Sequence, residues 1–271
     1  MLHNLVLCRA CGAPFSFLPE GERNCCQSPL GSKMHGAFLI HDPTMAASSP
    51  EMVVRDQDAL NYLSHPKFPS QIVRLKHFIQ SQPKRAQGGR VLDLGCGPGP
   101  TTDLLLQAGY EIIAVDFSIR SLSINAQLCG NSSMNALFVQ GDLNVIEFEN
   151  GSFDGIMMAD FLQHLGNEAT QRAFLHKIFH ALKPGGWFYL SFFNMNLFHR
   201  FKGDFEGVYG NIGYRRMSLG EVRNMMPKCA LIERESFMNI FYHAGLDNFA
   251  SGLPFAQCFA RMAVIEGYKG E

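Results

Sequence analysis

Three glycines and three acids hold the clearest chemistry in this sequence. They begin in VLDLGCGPGPTT, residues 91–102, where an apolar run ends at Leu94 and Gly95, Gly97 and Gly99 follow at alternate positions. Glycines so spaced let the backbone turn tightly and approach a ligand closely. Pro100 suits the first position of a helix, whose unpaired N–H groups would face the same ligand. Asp93 lies inside the apolar run, Asp116 closes the next one (EIIAVD), and Asp142 follows a third (QGD). Acids at these places repel a pyrophosphate but suit a ribose and a cationic amino group. A nicotinamide dinucleotide fingerprint would need glycine at position 100, where this chain has proline.

Two further sets could do chemistry. His164, in FLQHL, follows a fourth apolar run and could take a proton from an attacking O–H or N–H near neutral pH. Its bland reading is a helix-start histidine that only packs. Cys8-x-x-Cys11 has the spacing of half a zinc knuckle, with Cys25 and Cys26 as the second half. Adjacent cysteines make an awkward second turn, so zinc stands against a metal-free ribbon. His176 and His180, four apart, read as a solvated helix face. Cys96, Cys129, Cys229 and Cys258 are scattered and read as thiols in a core.

The elements that must position these residues show in the hydrophobic pattern. Short runs read as strands at Val91–Leu94, Glu111–Val115, Ala136–Val139, Phe153–Met158 and Trp187–Phe193. Between them the pattern predicts helices over Pro100–Ala108, Ile119–Leu128 and Ala169–Leu182. Strands apolar on both faces and separated by helices imply a parallel sheet covered on two sides. A helix near Ser218–Met226 and two late strands, Leu231–Met238 and Phe259–Gly267, complete the pattern.

DLGCGPG, then VD, GD, FDGIMMADFLQHL and LKPGGWFYLS resemble, in order, the blocks of class I S-adenosylmethionine-dependent methyltransferases. The resemblance implies a doubly wound, mostly parallel seven-stranded α/β sheet with S-adenosylmethionine as cofactor. It implies that Asp93 and the turn Gly95–Cys96–Gly97 lie against the methionine moiety, with Gly99 supporting the turn. Asp116 would hold the ribose hydroxyls, Phe117 would cover the adenine, Asp142 would accept from its amino group, and Leu143 would pack on the ring. Asp160 would contact the methionine end. By the same resemblance the loop 203–218 would overlie the substrate, with Tyr209 and Tyr214 as an aromatic wall and Arg215 and Arg216 as an anion clamp. Helices before the first strand would cap the cofactor, with Tyr62 and Gln71 as candidates. LVLCRACGAPFSFLPEGERNCC resembles the small zinc-ribbon segment that leads some methyltransferases.

Composition bounds the rest. The 271 residues carry 23 Lys+Arg against 24 Asp+Glu, a net charge of −1 that lacks the basic excess of a dedicated nucleic-acid binder. At 46% hydrophobic the chain can bury a sizeable core. It lacks the long apolar stretch of a membrane span, so no membrane partner is expected, and its cysteines suit a reducing cytoplasm. The expected organisation is a Cys-rich module over 1–43, a linker and helical lid over 44–83, and a methyltransferase domain over 84–271. The expected activity is methyl transfer to an O, N or C nucleophile on a small molecule, with His164 as base. Two alternatives are an RNA base methyltransferase and a non-catalytic cofactor-binding module.

Overall fold

The structure, a computed structural model, describes residues 6–7, 30–34, 37–41, 53–59, 69–82 and 89–271, apart from 145, 210, 211 and 242. Strand β1 is Val6–Leu7, and β2 (Leu30–Met34) and β3 (Ala37–His41) form a hairpin. Helix α1 covers residues 53–59. The chain continues through α2 (Pro69–Ser81), β4 (Arg90–Leu94), α3 (Pro100–Gln107), β5 (Glu111–Asp116), α4 (Ile119–Cys129) and β6 (Ala136–Gln140). Next come β7 (Glu147–Phe148), β8 (Phe153–Ala159), α5 (Glu168–Ala181) and β9 (Leu182–Phe193). The last part holds α6 (Leu197–Lys202), β10 (Glu206–Tyr209), β11 (Ile212–Arg215), α7 (Leu219–Met225), β12 (Ala230–Met238), α8 (Ala244–Ser251), α9 (Ala256–Phe259) and β13 (Met262–Lys269).

The main sheet runs β12-β13-β9-β8-β4-β5-β6-β3-β2. Its seven strands from β12 to β6 are those read from the sequence. The hairpin adds two more, with β3 parallel to β6. Pairings among β6, β5, β4, β8 and β9 are parallel, and β13 enters antiparallel between β9 and β12. Strand order reverses at β4, whose neighbours are β5 and β8. The connections leave in opposite directions there, which opens a crevice above the strand ends.

Alternation within each strand divides the core in two. Leu92, Leu94, Ile113, Val115, Ile156 and Met158 pack on one face with Phe174, Leu175 and Ile178 of α5. Val91, Ile112, Ala114 and Met157 pack on the other with Leu75, Phe78 and Ile79 of α2 and with α3 and α4. Helix α5 stops at Ala181, one residue short of expectation, because Leu182 already pairs with Phe153. The last strand starts at Met262, since Ala256–Phe259 is helical. The stretch 203–218, expected as a loop, contains the antiparallel hairpin β10–β11. Its glycines and polar positions masked the strand alternation.

Gly155 sits in β8 opposite Trp187, and a Cβ there would come within 2.2 Å of the indole. The buried indole has little room to retreat, so Gly155→Ala should cost about 2 kcal/mol through overpacking. Thermal unfolding checks this; an unchanged midpoint would show that Trp187 repacks freely.

Candidate functional site

The crevice starts at the turn after β4. Gly95 and Gly97 adopt left-handed φ values of +66° and +55°, which an L side chain rarely takes. The turn is tied to β5: the amides of Gly95 and Cys96 donate to the Val115 carbonyl at 2.9 and 3.1 Å. Beyond it, the amide of Gly97 donates to Asp116 Oδ2 and that of Ser118 to Oδ1, both at 2.9 Å. Burial pushes the Asp116 carboxyl up from its ordinary range, opposed by these amides and by the positive charge of Arg55. A Cβ on Gly97 would meet nothing within 4 Å, so the turn has open space on that side.

One cleft is lined by Gly95, Asp116, Phe117, Asp142, Leu143 and Asp160, together with Arg55 and His164. Asp142 closes a turn by accepting from the amide and side chain of Asn144 at 2.8 and 2.9 Å. Lys177 holds the same loop by donating to the carbonyls of Leu143, Asn144 and Ile146. These contacts fix the wall that carries Asp142 and Leu143.

Asp93 stands behind this cleft rather than in its lining. It is 1% exposed and accepts the Thr102 hydroxyl at 2.7 Å, and Asn125 in turn donates to Thr102 and to the Gly97 carbonyl. Cys96 packs into the α3–α4 core, where burial and nearby carboxylates raise its thiol well above the ordinary range. Gly99 serves as the N-cap of α3, with Pro100 in the first turn.

Asp160 takes a left-handed φ of 62°, uncommon for a residue with a side chain. Three contacts hold it: Ser191 of β9 donates to Oδ1 at 2.5 Å, the Asp160 amide donates back to the Ser191 hydroxyl, and Gln71 of α2 donates to Oδ2. Gln71 is 3% exposed, so this bond ties α2 to Asp160 away from solvent. Asp160 also lines a second cavity of about 680 Å³. Its walls include Phe193, Tyr214 and Phe259 with Asn194, Asn239 and Arg216.

The expected clamp divides. Arg216 reaches this cavity, donating to Asp204 at 2.9 Å and to the Tyr214 hydroxyl at 3.0 Å. Arg215 turns away to Glu221 and Gln171, so it does not share the clamp. The side chain of Tyr209, with Tyr62 and the zinc candidates Cys8, Cys11, Cys25 and Cys26, lies outside the described residues. Among the described residues no group of three or more His, Cys, Asp or Glu side chains could hold a metal, and Cys96, Cys129, Cys229 and Cys258 are free thiols.

A family profile described as a methyltransferase domain matches residues 91–186. The chain thus matches a methyltransferase domain over these residues. It is 35% identical over 99 residues to a putative methyltransferase of Bacillus subtilis, covering 36% of this chain and 40% of that one. It is 30% identical over 121 residues to the ubiquinone biosynthesis O-methyltransferase of Bordetella avium, covering 44% of this chain and 48% of that one. The chain thus spans about half the length, or less, of these curated relatives. The 1,6-didemethyltoxoflavin-N1-methyltransferase of Burkholderia thailandensis shares the fold, with a TM-score of 0.57 at 16% identity over 93% of this chain and all of that one.

Within the matched stretch His164 lies on a 3-10 turn, Leu162–His164, just past Asp160. Its Nδ1 is 3.1 Å from the Gly213 carbonyl oxygen. A carbonyl only accepts, so Nδ1 carries the proton and Nε2 keeps its lone pair. Arg55, which the sequence did not single out, lines the same cleft and reinforces the neutral imidazole. No motif marks Arg55; only the return of α1 over the strand ends brings it there.

Burial, chiefly, and the charge of Arg55 lower the His164 pKa from 6.5 to about 4. The unfolded chain therefore binds this proton more readily than the fold does. His164 should leave stability unchanged above pH 6.5 and reduce it as pH falls from 6.5 towards about 4. Following the imidazole resonances by NMR should give a midpoint near 4; one near 6.5 would place the ring in water.

Proposed function

We propose that this chain transfers a methyl group from S-adenosylmethionine to an O, N or C nucleophile of a small molecule. The observation that carries this reading is Asp160, which lines both the cleft of Gly95, Asp116 and Leu143 and the larger aromatic cavity beside it. Two sites that share one wall residue suit a donor and an acceptor whose reacting atoms must meet in line.

The residues of the first cleft fit the cofactor. Asp116 accepts backbone amides at one lone pair on each oxygen, leaving others for the two ribose hydroxyls. Phe117 and Leu143 provide apolar walls for the adenine. Asp142 Oδ1 is used in the turn with Asn144, and its Oδ2, without a partner among the described residues, accepts the adenine amino group. The open side of Gly97 admits the methionine moiety, and Asp93 stiffens the turn from behind. When bound, the cofactor supplies a sulfonium methyl already activated for displacement.

The chain's own residues then align and desolvate. Gln71 and Ser191 hold Asp160 at the junction, and Phe193, Tyr214 and Phe259 exclude water around the acceptor. His164, neutral with a free Nε2, takes the proton when the nucleophile is an O–H or N–H. Support for a small acceptor comes from the aromatic lining of the cavity and the near-neutral charge. The Bordetella relative, named for ubiquinone biosynthesis, and the toxoflavin enzyme point the same way.

Asp116→Ala should weaken S-adenosylhomocysteine binding roughly 100-fold by calorimetry, since two hydrogen bonds to a carboxylate are lost. Unchanged affinity would remove Asp116 from the site. Labelled methyl from S-adenosylmethionine, added with the protein to a fractionated lysate, should enter the small-molecule fraction; label in RNA would overturn the acceptor class.

A further inference from the structure

The second cavity opens through a surface of unusual composition. Sixteen large apolar side chains are exposed among the described residues, and eleven of them fall in two stretches, 197–208 and 241–259. Isolated exposed apolar residues are ordinary, whereas a contiguous group marks a contact surface. The two stretches are neighbours. The side chain of Asn194 donates to the carbonyls of Gln257 and Ala260, that of Asn196 reaches Ala260, and Phe198, Ile240 and Phe259 line the same cavity.

The helices here present their apolar faces outward. None of the six residues of α6 is buried, and Phe201 is 86% exposed. In α8 the inward positions are Asp247 and Ala250, while Leu246, Phe249 and, just past its end, Leu253 form an exposed stripe at helical spacing. The reversal at α8 is built in. The buried Asp247 carboxylate accepts the amides of Asn239, Ile240 and Phe241, which anchors the helix by its polar side.

Charge indicates what this surface meets. Arg200, Lys202 and Arg261 lie among these aromatics and have no acidic partner among the described residues, Lys202 sitting over the Phe198 ring at 4.3 Å. Of the nearby acids, Asp204 is held by Arg216 and His199 and Asp247 by amides; Glu206 alone is left to oppose three cations. Exposed phenylalanines ringed by unopposed cations match the boundary between acyl chains and anionic headgroups. A protein seated there would also close the cavity mouth, whereas a bilayer would leave it facing a source of apolar molecules.

We propose that this rim docks the protein on the surface of an anionic phospholipid bilayer, so that an apolar acceptor enters the cavity from the lipid. The direction of entry rests on the acceptor cavity being read correctly; the docking itself does not.

The test is co-sedimentation of the full chain with vesicles of phosphatidylglycerol and phosphatidylcholine, against phosphatidylcholine alone. Binding should need the anionic lipid and weaken with salt. The variant Phe201→Ser with Phe249→Ser, neither residue lining the cavity, should lose about tenfold in partitioning. Its thermal midpoint and S-adenosylhomocysteine affinity should match the wild type, which keeps a docking defect distinct from misfolding or a faulty cofactor site. Wild-type protein left in the supernatant, or equal binding to both vesicle types, would overturn the proposal. So would light scattering that shows a dimer made monomeric by the same variant, since the rim would then belong to a second copy.

Discussion

The hydrogen bond from the Gly97 amide to the Asp116 carboxylate is the constraint on which the crevice above the strand ends depends. It joins the first turn of the sheet to the end of the neighbouring strand, and it forms only because Gly97 can take a left-handed φ of +55°. Ser118 completes the grip from the other side, so the carboxylate cannot rotate without losing an amide. Burial alone would favour protonation of that acid; the two amides and Arg55 oppose it. A fixed acceptor at the crevice is thus a property of backbone geometry as much as of the aspartate itself.

The rigidity extends outward in layers. Asp93, Thr102 and Asn125 lock the turn from behind, and Lys177 ties three carbonyls of the opposite wall. Asp160, in its strained conformation, depends on β9 through Ser191 and on α2 through Gln71. Strain of this kind persists only where the surroundings over-determine it. The residue between the two cavities is thus held by parts of the chain 31 and 89 positions away.

The parts legible in the sequence are those governed by local rules. The glycine turn, the strand-end acids and the doubly apolar strands all follow from backbone freedom and two-sided burial, and they hold their places in the structure. Arg55 and the split of Arg215 from Arg216 were not legible, because they depend on how a helix returns or how a hairpin pairs. Alternation within β11 sends Tyr214 and Arg216 to one side and Arg215 to the other, which two adjacent arginines could not reveal without a strand assignment. The sheet extension by β2 and β3 was hidden for a similar reason: LGSKM carries little strand signal until an edge is present to pair with it.

The β10–β11 hairpin also links the two cavities. Gly213 immediately precedes Tyr214 of the aromatic cavity, and its carbonyl sets the tautomer of His164 in the neighbouring cleft. A displacement of β10–β11 would therefore alter the aromatic wall and the proton inventory of the imidazole together. Phe193 reinforces this coupling, with ring contacts to His164 at 6.1 Å and to Tyr214 at 5.2 Å. The aromatic wall and the tautomer of His164 are consequently not separable in this protein. The same hairpin, packed on the 3-10 turn, serves both, so a change that reshapes the aromatic wall must also preserve the one carbonyl that keeps Nε2 of His164 free.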